Sequence, residues 1–225
     1  MITDFKAGGL KASILSAAMN RVATPSKFVA PKKLDFRDMC IPTSDQGPTS
    51  KCAAYSSAGY LEVRNWRINH YPEQINPDPI YAEAKRLDGD NSDGTTLNSV
   101  AQAIINLGLI KGTPEYIGHS IDEAKFAIHR FTTMIAGFMI SNDWNHTSGD
   151  GIIPNSYPGL MGGHAVLCCG YSDEGIYLQN SWSCYSDDTE VLTDSGWKYF
   201  KNISAQDKVA TVNLANNNLE YQKPV

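Results

Sequence analysis

Residues 162–193 read GGHAVLCCGYSDEGIYLQNSWSCYSDDTEVLT. Two short apolar runs, Ala165–Tyr171 and Ile176–Gln179, flank turn-forming residues at Tyr171–Glu174, which predicts two antiparallel strands. His164 opens the first strand and Asn180 closes the second. A hairpin of that length brings both to one end of a sheet. There an asparagine carbonyl can accept from one imidazole nitrogen and fix the ring's orientation. At Cys184 the character of the chain changes, and Glu190–Thr193 begins a new strand pattern.

Working outward, the strands before and after this stretch are Met134–Ile140 and Val209–Leu214, with turns at Asp194–Gly196 and Asn216–Asn218. The first half reads as helices. Pro48–Arg67 carries small or apolar residues at Ala54, Ala58 and Leu61 and can be capped by Thr49 or Ser50. A second helix is expected over Ile80–Leu87. A third runs over Leu97–Leu107, with Thr96 as cap and Gly108 as stop. Ser120 and Glu123 form a capping box ahead of a helix reaching His129. Helices first and strands second predict an α+β chain with two lobes. Residues 1–33 read as an N-terminal extension, and Gly, Pro, Ser and Asn mark 142–163 as a loop.

Composition narrows the function. The 225 residues are 42% hydrophobic and 19% charged, enough for a packed core. A net charge of −5 gives no footprint for nucleic acid or anionic membrane. No apolar run is long enough to span a bilayer, and residues 1–28 lack the hydrophobic stretch of a signal peptide. The five cysteines, Cys40, Cys52, Cys168, Cys169 and Cys184, form no regular disulfide framework. This points to a reducing compartment and a soluble, cytoplasmic protein of microbial or viral type. Cys168 and Cys169 read as small core residues. No cofactor or metal is expected.

Cys52 falls in the first turn of a predicted helix, where free N–H groups and the helix dipole favour a thiolate, the reactive form of cysteine. Gln46, six residues earlier, can aim its amide N–H at a developing oxyanion, with the Cys52 backbone N–H as second donor. Each residue alone has an ordinary structural reading. The ordered set Gln46, Cys52, His164, Asn180 is far less ordinary.

Over 34–183 the chain resembles the papain-like cysteine peptidases. LDFRD at Leu34–Asp38 looks like the family's mature start. DQGPTSKCAAY at Asp45–Tyr55 looks like its glutamine and nucleophile motif, and Ser92–Leu97 like one wall of its substrate cleft. GGHAV and QNSW match its histidine and asparagine motifs. The resemblance implies a two-lobed fold, helical lobe plus β-barrel lobe. It implies peptide-bond hydrolysis with Cys52 as nucleophile, His164 as general base and acid, Asn180 as orienter and Gln46 as oxyanion donor. Trp182 would shield the His–Asn hydrogen bond, and the partner would be a peptide or protein substrate. Ala53 replaces the family's usual aromatic, and Thr49 removes a cysteine that normally forms a disulfide. The 33-residue extension is too short for the usual inhibitory propeptide. The Gln46 interval and the NSW motif argue against other Cys–His hydrolases, such as cell-wall amidopeptidases or acyltransferases.

From Cys184 onward the chain resembles the first splicing block of inteins, an all-β Hint-type domain. Cys184 is followed by the Asp188–Thr189 pair and a short strand, and Ile203–Val212 looks like the next strands. The resemblance implies that the Cys184 thiol attacks the Ser183 carbonyl and converts the peptide bond to a thioester. The Thr-x-x-His block, the terminal His-Asn pair and the next nucleophile are absent from the sequence. Two explanations stand: half of a split intein whose partner polypeptide carries the rest, or a fragment, to which the reading leans. The domain expectation is therefore 1–33 extension, 34–183 incomplete peptidase, and 184–225 incomplete splicing region. Such a chain is expected to be a weak peptidase, because strands that should cover Asn180 are missing. The alternative is a degenerate papain-like peptide-binding module with a non-intein β-extension.

Overall fold

The computed structural model describes residues 9–11, 20–42, 44–147, 151–155, 159–182, 190–199, 202–213 and 218–223. The chain divides into two compact units. One is Phe5–Ser148 with Ile153–Ser183; the other is Cys184–Val225 with Met1–Asp4 and Gly149–Ile152.

The larger unit runs β1 (Asn20–Arg21), β2 (Leu34–Asp35), a 3-10 turn at Arg37–Met39, α1 (Cys52–Asn69), α2 (Pro77–Asp88) and α3 (Leu97–Asn106). It continues with β3 (Glu115–Tyr116), α4 (Ile121–Phe131), β4 (Met134–Ser141), a 3-10 helix at Asn142–His146, β5 (Leu160–Tyr171) and β6 (Ile176–Gln179). Local chemistry sets the helix starts. Asn76 accepts from the Asp78 N–H with Pro77 in the first turn, and Thr96 accepts from Ser99. Ser120 and Glu123 exchange both bonds of the expected capping box.

The central helix departs from expectation. It begins at Cys52 and not at Pro48, and Lys51 supplies no side-chain cap. The cause is local: Thr49 Oγ1 donates to the Gln46 carbonyl at 2.6 Å, and Gln46 Nε2 donates to the Thr49 carbonyl at 2.7 Å. This mutual clasp holds the preceding turn outside the helix and leaves Cys52 as the first helical residue. Along α1, Ala53, Ala54, Ser57, Ala58 and Gly59 are all buried. A Cβ on Gly59 would stand 3.3 Å from Leu167 of β5, so small side chains let the helix lie close on the sheet.

β5 is the hub of that sheet and pairs antiparallel with β4, β2 and β6. It is buried continuously from Gly163 to Tyr171, as its unbroken apolar run requires. Its register sets Phe138 of β4 opposite His164. One core cluster unites α1, α2 and α3 with Ala165; a second gathers Ile128, Cys168 and Tyr171 with Leu34, Phe36, Met134 and Leu178. The helical and sheet lobes thus meet along α1 and β5, which carry Cys52 and His164.

The described residues of the N-terminal segment pair with the rest of the larger unit. β1 pairs parallel with β3, and Leu10 bridges Thr95. In the smaller unit β7 (Glu190–Thr193), β8 (Gly196–Tyr199), β9 (Val209–Asn213) and β10 (Asn218–Gln222) form one antiparallel sheet in the order β10–β9–β7–β8. The expected strand content of Ile203–Val212 is confined to its end, because Ser204 and Asp207 hold a turn: Asp207 accepts from the Ser204 N–H at 2.8 Å. Ser183 and Cys184 lie outside the described residues. Among the described residues, no helix is long and apolar enough to cross a membrane.

Candidate active site

His164 and Asn180 meet as the hairpin predicts: His164 Nε2 lies 2.8 Å from Asn180 Oδ1. The same Asn180 oxygen accepts the Ser181 N–H at 2.8 Å, which fixes the carboxamide. Nδ1 of His164 is buried without a hydrogen-bond partner. The ring is therefore anchored by one nitrogen and leaves the other free for chemistry.

Cys52 packs in the same cluster as Ala165, one residue beyond His164. N–H groups of Ala165, Ala53 and Cys52 itself favour its thiolate, but burial outweighs them and pushes the thiol up. Burial likewise pulls His164 down, against the opposing pull of Asn180. Both residues are fully buried. Burial thus favours the neutral form of each.

Gln46 is also in the group, though its amide is engaged. Nε2 donates to Thr49 O, and Oε1 accepts the Ser181 hydroxyl at 2.6 Å. The Gln46 N–H donates to Ser181 O at 2.9 Å. Ser181 thereby ties the glutamine loop to the Asn180 turn, a role that sequence reasoning missed. Trp182 lies over the imidazole, ring centroids 4.5 Å apart. Trp144 was missed too. From the 3-10 helix after β4 it meets His164 edge-on at 5.8 Å and Trp182 at 6.2 Å. Its place in a loop marked by Gly, Pro, Ser and Asn gave no periodic signal. Among the described residues, no cluster of three or more His, Cys, Asp or Glu could hold a metal ion.

The cleft wall expected at Ser92–Leu97 is occupied. Thr95 N–H donates to Gly9 O at 2.9 Å, Lys11 N–H to Thr95 O at 2.9 Å, and Leu10 N–H to Gly163 O at 3.2 Å. The strap fits because glycines face it. A Cβ on Gly94 would stand 2.2 Å from Gly9 O, and one on Gly163 would stand 2.3 Å from Leu10 O. The Leu10 side chain lies against Gly137 and packs on the cluster that holds Cys52 and Ala165. Leu10 is thus bonded to the residue that precedes His164.

The fold has solved counterparts. The chain is similar to xylellain, a cysteine protease from Xylella fastidiosa, with a TM-score of 0.65 and 22% identity over 80% of this chain and 87% of that one. The fold is that of the papain-like cysteine proteases. Procathepsin B of Trypanosoma congolense gives a TM-score of 0.61 and 14% identity over 79% and 77% of the two chains. Procathepsin L 3 from the larval midgut of Tenebrio molitor gives 0.57 and 16% over 87% and 68%. No family model and no curated protein matches the chain.

Proposed function

We propose that residues 34–183 are a cysteine peptidase acting through Cys52, His164 and Asn180, with Gln46 as oxyanion donor. The observation that carries this reading is the 2.8 Å His164–Asn180 hydrogen bond with Nδ1 left unpartnered beside the strand against which Cys52 packs. In the reaction, Nδ1 takes the Cys52 proton and the thiolate attacks the scissile carbonyl. The imidazolium then protonates the leaving amine, and water releases the acyl-enzyme. Gln46 must exchange its hold on Thr49 for the developing oxyanion. Thr95 and Gly163, now bonded to the strap, offer the backbone groups an extended substrate would use. The chain is thus self-occluded, and the strap must leave before substrate enters.

The test is a fluorogenic peptide assay with parallel labelling by an active-site-directed thiol reagent. Turnover abolished by Cys52→Ala, with Cys52 labelled ahead of the other cysteines, supports the reading. Equal labelling of all cysteines and no turnover after strap removal would leave a peptide-binding module, the reading that full burial of Cys52 favours.

The second half of the proposal is a splicing region at 184–225, with Cys184 attacking the Ser183 carbonyl. The observation that favours an all-β segment here is that its described strands, β7 to β10, form a sheet of their own. A thiol should then release a fragment ending at Ser183, seen by intact mass. Cleavage that survives Cys184→Ala, or none with any complementing intein half, would sink this part alone.

A further inference from the structure

The chain has six arginines, and three have carboxylate partners: Arg21 with Glu123, Arg37 with Asp35, and Arg86 with Glu83. Arg64, Arg67 and Arg130 have none among the described residues. These three line one cavity of about 140 Å³, and Tyr60, Val63, Phe131 and Thr133 complete its wall. Arg64 and Arg67 stand one turn apart on α1, and Arg130 comes from the last turn of α4. Like charges at such spacing repel, so packing alone does not gather them. Part of the arrangement has a plain structural use. Arg67 donates to the Phe131 carbonyl at 3.3 Å, and Arg130 lies 5.1 Å from the Phe131 ring centre. Both stabilise the end of α4. That account leaves Arg64 unused, together with most donors of the other two guanidiniums. Thr133 is 2% exposed, and its hydroxyl has no hydrogen-bond partner among the described residues. Thr132 beside it turns the chain out of α4 at a φ of 79°, a costly angle for a β-branched residue. Glu115 is felt electrostatically at Tyr60 but pairs with none of the three arginines.

We propose that this cavity binds a phosphate group, free or as a small monoester. A carboxylate offers two oxygens in one plane and suits a single guanidinium fork. Three forks arriving from two helices call for an anion whose oxygens point several ways, and tetrahedral phosphate supplies them. Its charge offsets the mutual repulsion of the three cations. The Thr133 hydroxyl can donate to a further oxygen, and Tyr60 and Phe131 offer an aromatic wall to the organic part of an ester. The cavity has roughly ten times the room that one water needs. Arg64 lies about 18 Å beyond Cys52 along α1. The site is therefore separate from the proposed catalytic group and does not rest on the peptidase reading.

The experiment titrates the full chain by calorimetry with orthophosphate, phenyl phosphate or succinate, at fixed ionic strength in a phosphate-free buffer. Saturable binding of one phosphate group per chain is expected, with Tm rising as phosphate is added. The tighter of the two phosphate ligands identifies the free anion or the ester as the source. Arg64→Gln should weaken binding about ten- to a hundredfold, the loss of one charge-assisted contact. Arg130→Gln, at an exposed position, gives a second reading with the same expected loss. Arg64→Lys keeps the charge but loses the fork, and should lose most of the affinity. Arg86→Gln, at an arginine paired elsewhere, should bind as the parent does. Binding that does not saturate, or succinate held as tightly as orthophosphate, would overturn the proposal. So would parental affinity in Arg64→Lys, or affinities within about twofold of the parent in both glutamine variants. Cys52 takes no part in the measurement, so the peptidase reading stands or falls separately.

Discussion

Truncating Leu10 to alanine should open the cleft. The strap is held by three backbone hydrogen bonds, by the Lys11–Asp90 ion pair at 2.8 Å, and by the Leu10 side chain, half-buried against Gly137 and the cluster around Cys52. Leu→Ala removes three carbons, worth about 0.8 kcal/mol each when fully buried. Half-burial brings the loss to about 1–1.5 kcal/mol. Every 1.4 kcal/mol is tenfold in an equilibrium, so the open population should rise about five- to tenfold while the closed state still dominates. The assay is the second-order rate of Cys52 alkylation by iodoacetamide under native conditions, read by peptide mapping. It needs no peptide turnover, so it reports access alone. Val29→Ala is the control, since Val29 belongs to the same extension and is 86% exposed. A Leu10→Ala rate within about twofold of the parent, or an equal acceleration in both variants, would refute the strap's role.

Three further outcomes are expected. Asn180→Ala leaves the His164 Nε2–H and the Ser181 N–H without their shared acceptor. It should cost about 2–5 kcal/mol in urea unfolding, with peptide turnover falling at least about tenfold. Trp144→Ala removes edge-on contacts with both His164 and Trp182 and should cost about 1–3 kcal/mol, most of it recovered in Trp144→Phe; equal losses in the two variants would contradict the aromatic account. Buried His164 resists protonation, so below the ordinary value of 6.5 the unfolded chain binds a proton that the folded chain refuses. Stability should therefore fall as pH drops through 6.5, and Tm should decline less between pH 7.5 and 5.5 in His164→Gln than in the parent.

Much of the site was legible because its signals are local. The His164–Asn180 hairpin follows from two apolar runs and a turn, and its hydrogen bond forms as expected. The Ser120–Glu123 box and the Thr96 cap are likewise decided within four residues. What escaped depends on partners far along the chain. Nothing in Gly9–Lys11 announces that Thr95 and Gly163 will bind it; the signal sits in the glycines at 94 and 163, whose missing Cβ atoms make room. The start of α1 was misplaced because Thr49, a good cap by type, spends its hydroxyl on Gln46. Cys169 reads as a small core residue, and only the β2–β5 pairing sets the segment before Cys40 alongside its strand.

Occlusion and neutrality at the site are one physical act. A thiolate–imidazolium pair needs Cys52 to lose a proton and His164 to gain one, and burial opposes both. The groups that favour ionisation, the N–H donors of Ala165 and Ala53 and the carbonyl of Asn180, are already in place, so what is lacking is solvent. Admitting water by loosening the strap should move Cys52 down and His164 up, toward the crossing at which the charged pair forms. The pH midpoint for Cys52 alkylation should therefore lie lower in Leu10→Ala than in the parent, in addition to the faster rate. A strap that merely blocked access would raise the rate at every pH and leave the midpoint where it was. A shifted midpoint would mean that the N-terminal segment also sets the protonation state of Cys52.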